Sequence, residues 1–200
     1  MERTKAALLE AAIKLFAERG IYLTRVEDIT ERADVAKGSF YNYFGSKDVL
    51  VAEILSEAIQ TLEERHLKPL DAIGAVPQRL AALTAAHQAF VEDWPEYALI
   101  LHQARGLLQL RSGASERLQQ EVHRYLECLA RHLPLPAGAA LQRDHRLQLA
   151  TIFAGIVSGP RSFALAADVP YDPMLTRDLA CRGLAAILAD SPDSVPCDTA

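Results

Sequence analysis

The chain has 200 residues, 50% hydrophobic and 24% charged, a balance that supports a globular core and excludes general disorder. Its 21 Lys and Arg against 26 Asp and Glu leave a net charge of −5, so composition alone argues mildly against a polyanionic partner. Cys128, Cys181 and Cys197 are odd in number and far apart, and charges interrupt every apolar stretch, so a disulfide framework, a thiolate zinc site, a signal peptide and a membrane span are not expected and the reading is a cytoplasmic protein.

Helix formers dominate and alternating β-branched runs are absent, so the expected fold is all-α with about nine helices. In the first helix Leu9, Ala12, Ile13, Phe16 and Ala17 share one face, and Gly20 fits the left-handed residue that ends it. Thr24 is placed to cap a second helix reaching about Ala33, with Glu27 closing a capping box and Val26, Ile29 and Ala33 turned inward. Asp34 suits a tight turn, and a third helix spans about Ala36 to Tyr43. Gly45-Ser46 breaks the chain before a fourth, capped by Ser46 and ended by Leu67-Lys68-Pro69. Pro77 opens a fifth; Asp93-Trp94-Pro95-Glu96 ends it and starts a sixth. Ser112-Gly113 separates the sixth from a seventh that ends near His132, before Leu133-Pro134-Leu135-Pro136. An eighth runs from about Leu141 to Asp168, with Gly159-Pro160 as its candidate kink, and a ninth follows Pro170 and Pro173 to about Asp190. Residues 1–47, 48–190 and 191–200 thus read as a small N-terminal domain, a larger helical domain and a flexible tail.

Two short helices joined by a tight turn, the second rich in polar groups, form a helix-turn-helix pattern. A helix of about eight residues is about 12 Å long and fits end-on in a major groove. Gly38 near its start removes the side chain where backbone and base edges would meet. Lys37 and Ser39 beside it can donate to bases or phosphates, and Tyr41 and Tyr43 can place hydroxyls on phosphates. Asn42 suits a base edge or backbone oxygen, and Lys47 suits a phosphate clamp. Phe40 and Phe44, four apart, read as core anchors against Phe16 and Ile29. The plain alternative for Tyr41, Asn42 and Tyr43 is a solvated aromatic helix face.

Residues 24–47, TRVEDITERADVAKGSFYNYFGSK, resemble the N-terminal signature of the tetracycline-repressor (TetR) family of bacterial transcriptional regulators. The likeness rests on Val35-Ala36-Lys37-Gly38-Ser39-Phe40-Tyr41-Asn42-Tyr43-Phe44, on Ser46-Lys47, and on Ile13 to Gly20 as the end of a first helix. Arg25 stands where the family often has Thr or Ser, which moves capping to Thr24 and leaves Arg25 to reach a phosphate; Asp34 replaces a usual Gly. The resemblance implies a ligand-responsive regulator, commonly a repressor, bound to double-stranded operator DNA as a homodimer with half-sites about 34–36 Å apart or a multiple of that.

It further implies dimerisation through the eighth and ninth helices, where Leu175, Leu179, Leu184, Ile187 and Leu188 form an apolar stripe; the alternative is that the stripe serves only the subunit's own core. A small-molecule cavity among the fourth to eighth helices is implied too, with Phe90, Trp94, Tyr97, His102, Arg105, Tyr125 and Phe153 as candidate lining. Arg105 and His102 point to an anionic or polar ligand end, while the aromatic residues can equally be core. Histidine spacing suggests no metal site, no cofactor motif is evident, and nothing resembles a phosphate loop or nucleophile elbow. A helical enzyme or a protein-binding scaffold remains the competing reading. Charge is unevenly spread: residues 1–50 hold eight basic and eight acidic groups, so the rest carry the whole −5. Screening over about 8–10 Å keeps that acidic body from opposing a local basic patch.

Overall fold

The structure, a computed structural model, describes residues 2–74, 76–110, 116–134 and 143–189. Among these the chain forms nine α-helices and no strand: α1 (Glu2–Arg19), α2 (Val26–Arg32), α3 (Lys37–Tyr43), α4 (Lys47–Leu62), α5 (Val76–Asp93), α6 (Pro95–Leu110), α7 (Glu116–His132), α8 (Arg143–Ala167) and α9 (Pro173–Ala189). Contacts gather into two compact units, Met1–Leu62 with Phe90–Tyr125, and Glu63–Ala89 with Leu126–Ala200. The breaks expected at Ser112-Gly113 and Leu135-Pro136 and the tail at 191–200 lie outside the described residues.

In the first unit α1 packs on α2, α3, α4 and α6. Its buried face is Leu8, Ala11, Ala12, Leu15 and Phe16, so the stripe lies one residue off the expected one and Leu9, Ile13 and Ala17 are half-buried. The shift brings Leu8 and Leu15 onto the packed face, so it buries the larger leucines in place of Ala17. Gly20 takes φ +87°, and its N–H bonds the Phe16 carbonyl, as expected for a helix end. That end is also fastened by α6: Gln103 Oε1 accepts from the Ile21 N–H at 2.7 Å, and its Nε2 donates to the Phe16 carbonyl at 3.4 Å. A side chain 82 residues away thus satisfies backbone groups that the end of α1 would otherwise expose. Between α6 and α4, Tyr97 bonds Glu57; burial first, and this bond second, push the phenol well above its ordinary range.

The second unit holds two short segments after α4. The expectation of a fourth helix running to Leu67 needs correcting: α4 stops at Leu62, and Glu63–Leu67 continues as a π-helical turn followed by a 3₁₀ turn at Lys68–Ala72. Pro69 has no N–H and falls in the first turn of the 3₁₀ segment, where that costs least. α8 packs on α9, burying Ala150, Phe153, Ala154 and Val157 from one and Thr176, Ala180 and Leu184 from the other. Pro160 lies inside α8 and does not end it. Asp172 caps α9, its Oδ1 accepting from the N–H groups of Met174 (2.8 Å) and Leu175 (3.2 Å). Among the described residues no helix is long and apolar enough to cross a membrane.

Candidate nucleic-acid interface

The α2–α3 pair owes its geometry to a turn that L-residues rarely make. Asp34 sits at φ +53°, its N–H bonding the Glu31 carbonyl at 3.1 Å, while Val35 N–H reaches Thr30 O at 3.0 Å. The short Asp side chain tolerates this left-handed conformation, which is why the turn stands without the usual Gly. On α3, Phe40 and Phe44 turn inward and are buried with Phe16 and Ile29 as the spacing predicts, their rings 5.6 Å apart. Lys37, Gly38, Tyr41 and Asn42 fall on the opposite, exposed face; Ser39 and Tyr43 are half-buried at its edge. One seven-residue helix therefore divides into an anchoring face and a polar face.

Gly38 is the informative member of that face. A Cβ built on it meets nothing within 4 Å, and it does not have a positive φ. Neither packing nor the backbone conformation requires glycine there, and the space over it is open. Lys37 is paired with the Glu27 carboxylate on α2, and its ammonium lies 6.0 Å from the Tyr41 ring centre. The pair, chiefly through its hydrogen bond, holds Glu27 below and Lys37 above their ordinary pKa ranges. Both groups are exposed, so the pair yields readily to a phosphate. Counting only residues 35–47 finds no acidic neighbour for Lys37; the packing of α2 on α3 supplies one.

Two expected contacts change role. Thr24 does not cap α2: it is fully buried, and its hydroxyl donates to the Gly20 carbonyl at 2.8 Å and, more weakly, to Leu15 O at 3.4 Å. The cap falls on Arg25, whose backbone N–H bonds Asp28 Oδ2 at 2.7 Å, so the box is closed by Asp28 and not Glu27. Arg25 itself is exposed, as a phosphate-contacting side chain requires. Lys47, half-buried, points its ammonium at the carbonyls of Ile21 and Thr24 (2.8 Å each) and Tyr22 (3.4 Å), so it fastens the α1–α2 turn. The signal for this was the helix-ending Gly20 four residues before Thr24, which leaves a run of carbonyls needing a donor.

The expected lining residues are drawn from both units. Trp94 stacks on Tyr97 with ring centres 5.9 Å apart, and Arg105 bonds His102 at 2.9 Å, both within the first unit. Burial first, and the Arg105 charge second, hold the imidazole below its ordinary pKa. Phe90 and Tyr125 are buried in the same unit, whereas Phe153 is buried in the second, edge-on to His87. On α9, Leu175 and Leu179 are 56% and 58% exposed, but Leu184 is buried inside its own unit. That corrects its expected place on the interface: Thr176, Ala180 and Leu184 repeat every four residues on the inward face. The side chains of Ile187 and Leu188 lie outside the described residues. Exposed Ile152 and Phe163 on α8 and Met174 on α9, not singled out by the stripe, add to the uncovered apolar surface.

A helical chain with this turn and this divided third helix is a helix-turn-helix protein. Residues 8–54 match the family described as bacterial regulatory proteins, tetR family. The HTH-type transcriptional repressor Rv3405c of Mycobacterium tuberculosis (strain H37Rv) is 46% identical over 150 residues, covering 73% of each chain. The chain belongs to the TetR family. The HTH-type transcriptional repressor KstR2 of the same organism is 35% identical over 88 residues, a match spanning 44% of this chain and 44% of KstR2, less than half of its length. Among solved structures, FadR from Bacillus subtilis in complex with stearoyl-CoA superposes with a TM-score of 0.66 at 18% identity, covering 92% of this chain and 97% of that one. The multidrug binding protein EbrR complexed with imidazole gives 0.65 at 18%, covering 88% and 87%. These two likenesses show the fold.

Proposed function

We propose that the chain is a transcriptional repressor that binds operator DNA through α2 and α3 as a homodimer and is released by a small molecule. The observation that carries this is the division of α3: Phe40 and Phe44 anchor it, while Lys37, Gly38, Tyr41 and Asn42 face outward with open space over Gly38. Arg25, Ser39 and Tyr43 flank that face and supply further donors. Residues 1–47 act as the reading head, residues 48–190 as the effector and dimer domain, and the protein works in the cytoplasm, on the nucleoid when bound.

One short helix reads only a few base pairs, so a dyad is needed. Ile152 and Phe163 on α8 with Leu175 and Leu179 on α9 supply exposed apolar surface for it, on two helices that already pack together. For the effector, α6 is the suggestive element. It carries Tyr97, His102 and Arg105 beside Gln103, whose amide bonds the end of α1. A ligand that binds one placement of α6 better than another would bias the reading head by that difference in affinity. FadR, whose structure holds stearoyl-CoA, supports a small organic effector as the class.

The test is binding to duplex DNA flanking the protein's own coding sequence. Specific duplex should displace random duplex, and Lys37→Ala with Tyr43→Ala should abolish the complex. Undiminished binding by that double variant overturns the reading.

A further inference from the structure

A cluster outside the reading head has the composition of a metal site. Cys128 and His132 are four apart on the last turns of α7, which puts both side chains on one helix face, and both are buried. Histidine-to-histidine spacing does not reveal this pair, because its first member is a cysteine. Glu63, the first residue of the π-helical turn after α4, brings its carboxylate to the same place. One donor atom from each of the three lies within 4.8 Å of the others.

We propose that Glu63, Cys128 and His132 form a binding site for a divalent transition cation of the zinc class, with a water or a further ligand completing four-coordination. The donor set is one thiolate, one imidazole and one carboxylate, which suits a borderline-soft ion and not magnesium or calcium. Bonds of about 2.0–2.3 Å at tetrahedral angles place donors about 3.3–3.8 Å apart, so the side chains need close by only about 1 Å. The π-helical turn supports the assignment independently: such turns add a residue to the helical register and recur at functional sites. The end of α7 is held firmly, since Arg79 Nε donates to the His132 carbonyl at 3.3 Å.

Arg131 is the competitor. Its Nη2 lies 2.7 Å from Glu63 Oε1, and its guanidinium also bonds the Cys128 sulfur. In the metal-free state the arginine occupies the charge role that the cation would take. Its side chain is 55% exposed, so it can leave towards solvent as the metal enters and the Cys128 thiol gives its proton to water. The two anionic donors then neutralise the dication.

The test uses the full chain, untagged and reduced, titrated with cobalt(II). The wild type should develop a thiolate-to-cobalt charge-transfer band that saturates at one ion per chain and is erased by zinc(II). The Cys181→Ser/Cys197→Ser variant should keep the band and Cys128→Ser should lose it. Glu63→Gln should weaken cobalt binding at least about tenfold, the scale on which even outer-shell partners act. Arg131→Ala should tighten it, an effect that a simple ion pair beside a thiol would not produce. If Cys128→Ser does not fold, the Glu63 and Arg131 variants decide. A wild type without the band, a band that survives Cys128→Ser, or Glu63 and Arg131 variants that bind cobalt as the wild type does would each overturn the site.

Discussion

Gly38 separates a fold requirement from a recognition requirement. Replacing it with Ala adds a methyl group into open space on an exposed turn of α3, at a residue without a positive φ. The folded protein should therefore gain stability, by up to about 1 kcal/mol if the position behaved as a helix interior and less so near the start of α3. At about 2–4 °C per kcal/mol for a chain of this size, the melting temperature should rise by about 1–3 °C. On DNA the same methyl meets a partner already in contact, and overpacking costs about 1–3 kcal/mol, or about 5- to 150-fold in affinity. Gly38→Leu should deepen that loss while still folding. Thermal unfolding and fluorescence anisotropy on a labelled operator duplex measure the two effects separately. A Gly38→Leu protein that melts normally and binds operator as tightly as the wild type would refute the placement of α3 against DNA.

Glu27→Gln removes the carboxylate that holds Lys37, so operator and random duplex should both bind more tightly at low salt, with log affinity falling more steeply against log salt by up to about 0.9. Anisotropy across a salt series checks this, and an unchanged affinity and slope would mean that Glu27 does not compete with a phosphate for Lys37. Leu175→Glu with Leu179→Glu should leave the fold intact, because both side chains are exposed, yet sediment as a 21.9 kDa monomer that has lost operator binding. Leu184→Ala should behave oppositely, destabilising the subunit by about 2–5 kcal/mol through a cavity while leaving the dimer interface untouched. A dimeric Leu175/Leu179 double variant would move the interface elsewhere.

What could be read from residues alone divides along a physical line. Helix existence, the left-handed Asp34 and Gly20, the Ser46 cap and the anchoring of α3 by Phe40 and Phe44 all depend on neighbours within a few positions, and all are found. Roles set by distant partners were not legible. Thr24 is the local exception: it looks like a cap by pattern, but the helix end at Gly20, four residues back, offers its hydroxyl a carbonyl. Lys37 looks unopposed until α2 folds back and presents Glu27. Leu184 belongs to the same apolar run as Leu175 and Leu179, and only the packing of α9 on α8 decides which leucines face inward. In the Glu63, Cys128 and His132 cluster the carboxylate comes from 65 positions before the cysteine, beyond the reach of the local Cys128/His132 spacing.

Lys47 shows how such a reassignment can be decided by measurement. As a phosphate clamp, its removal should lower the salt slope by about one and leave the free protein's stability alone. As a fastener of the α1–α2 turn, its removal frees the carbonyls of Ile21 and Thr24, each now 2.8 Å from the ammonium. Hydrogen bonds to a charged donor are worth about 1.5–3 kcal/mol each when buried, and water can replace part of that around a half-exposed lysine. A net loss of about 1–3 kcal/mol is expected for Lys47→Met, which keeps much of the stem's packing and removes the charge. The melting temperature should then fall by about 2–12 °C. Operator affinity should fall as well, because the turn that orients α2 loosens, but the salt slope of the folded protein should stay at the wild-type value. A variant that melts as the wild type does and loses one unit of slope would return Lys47 to the phosphate backbone, and would leave the α1–α2 turn to the Thr24 and Gln103 hydrogen bonds and the Arg19–Asp28 and Arg32–Glu18 ion pairs.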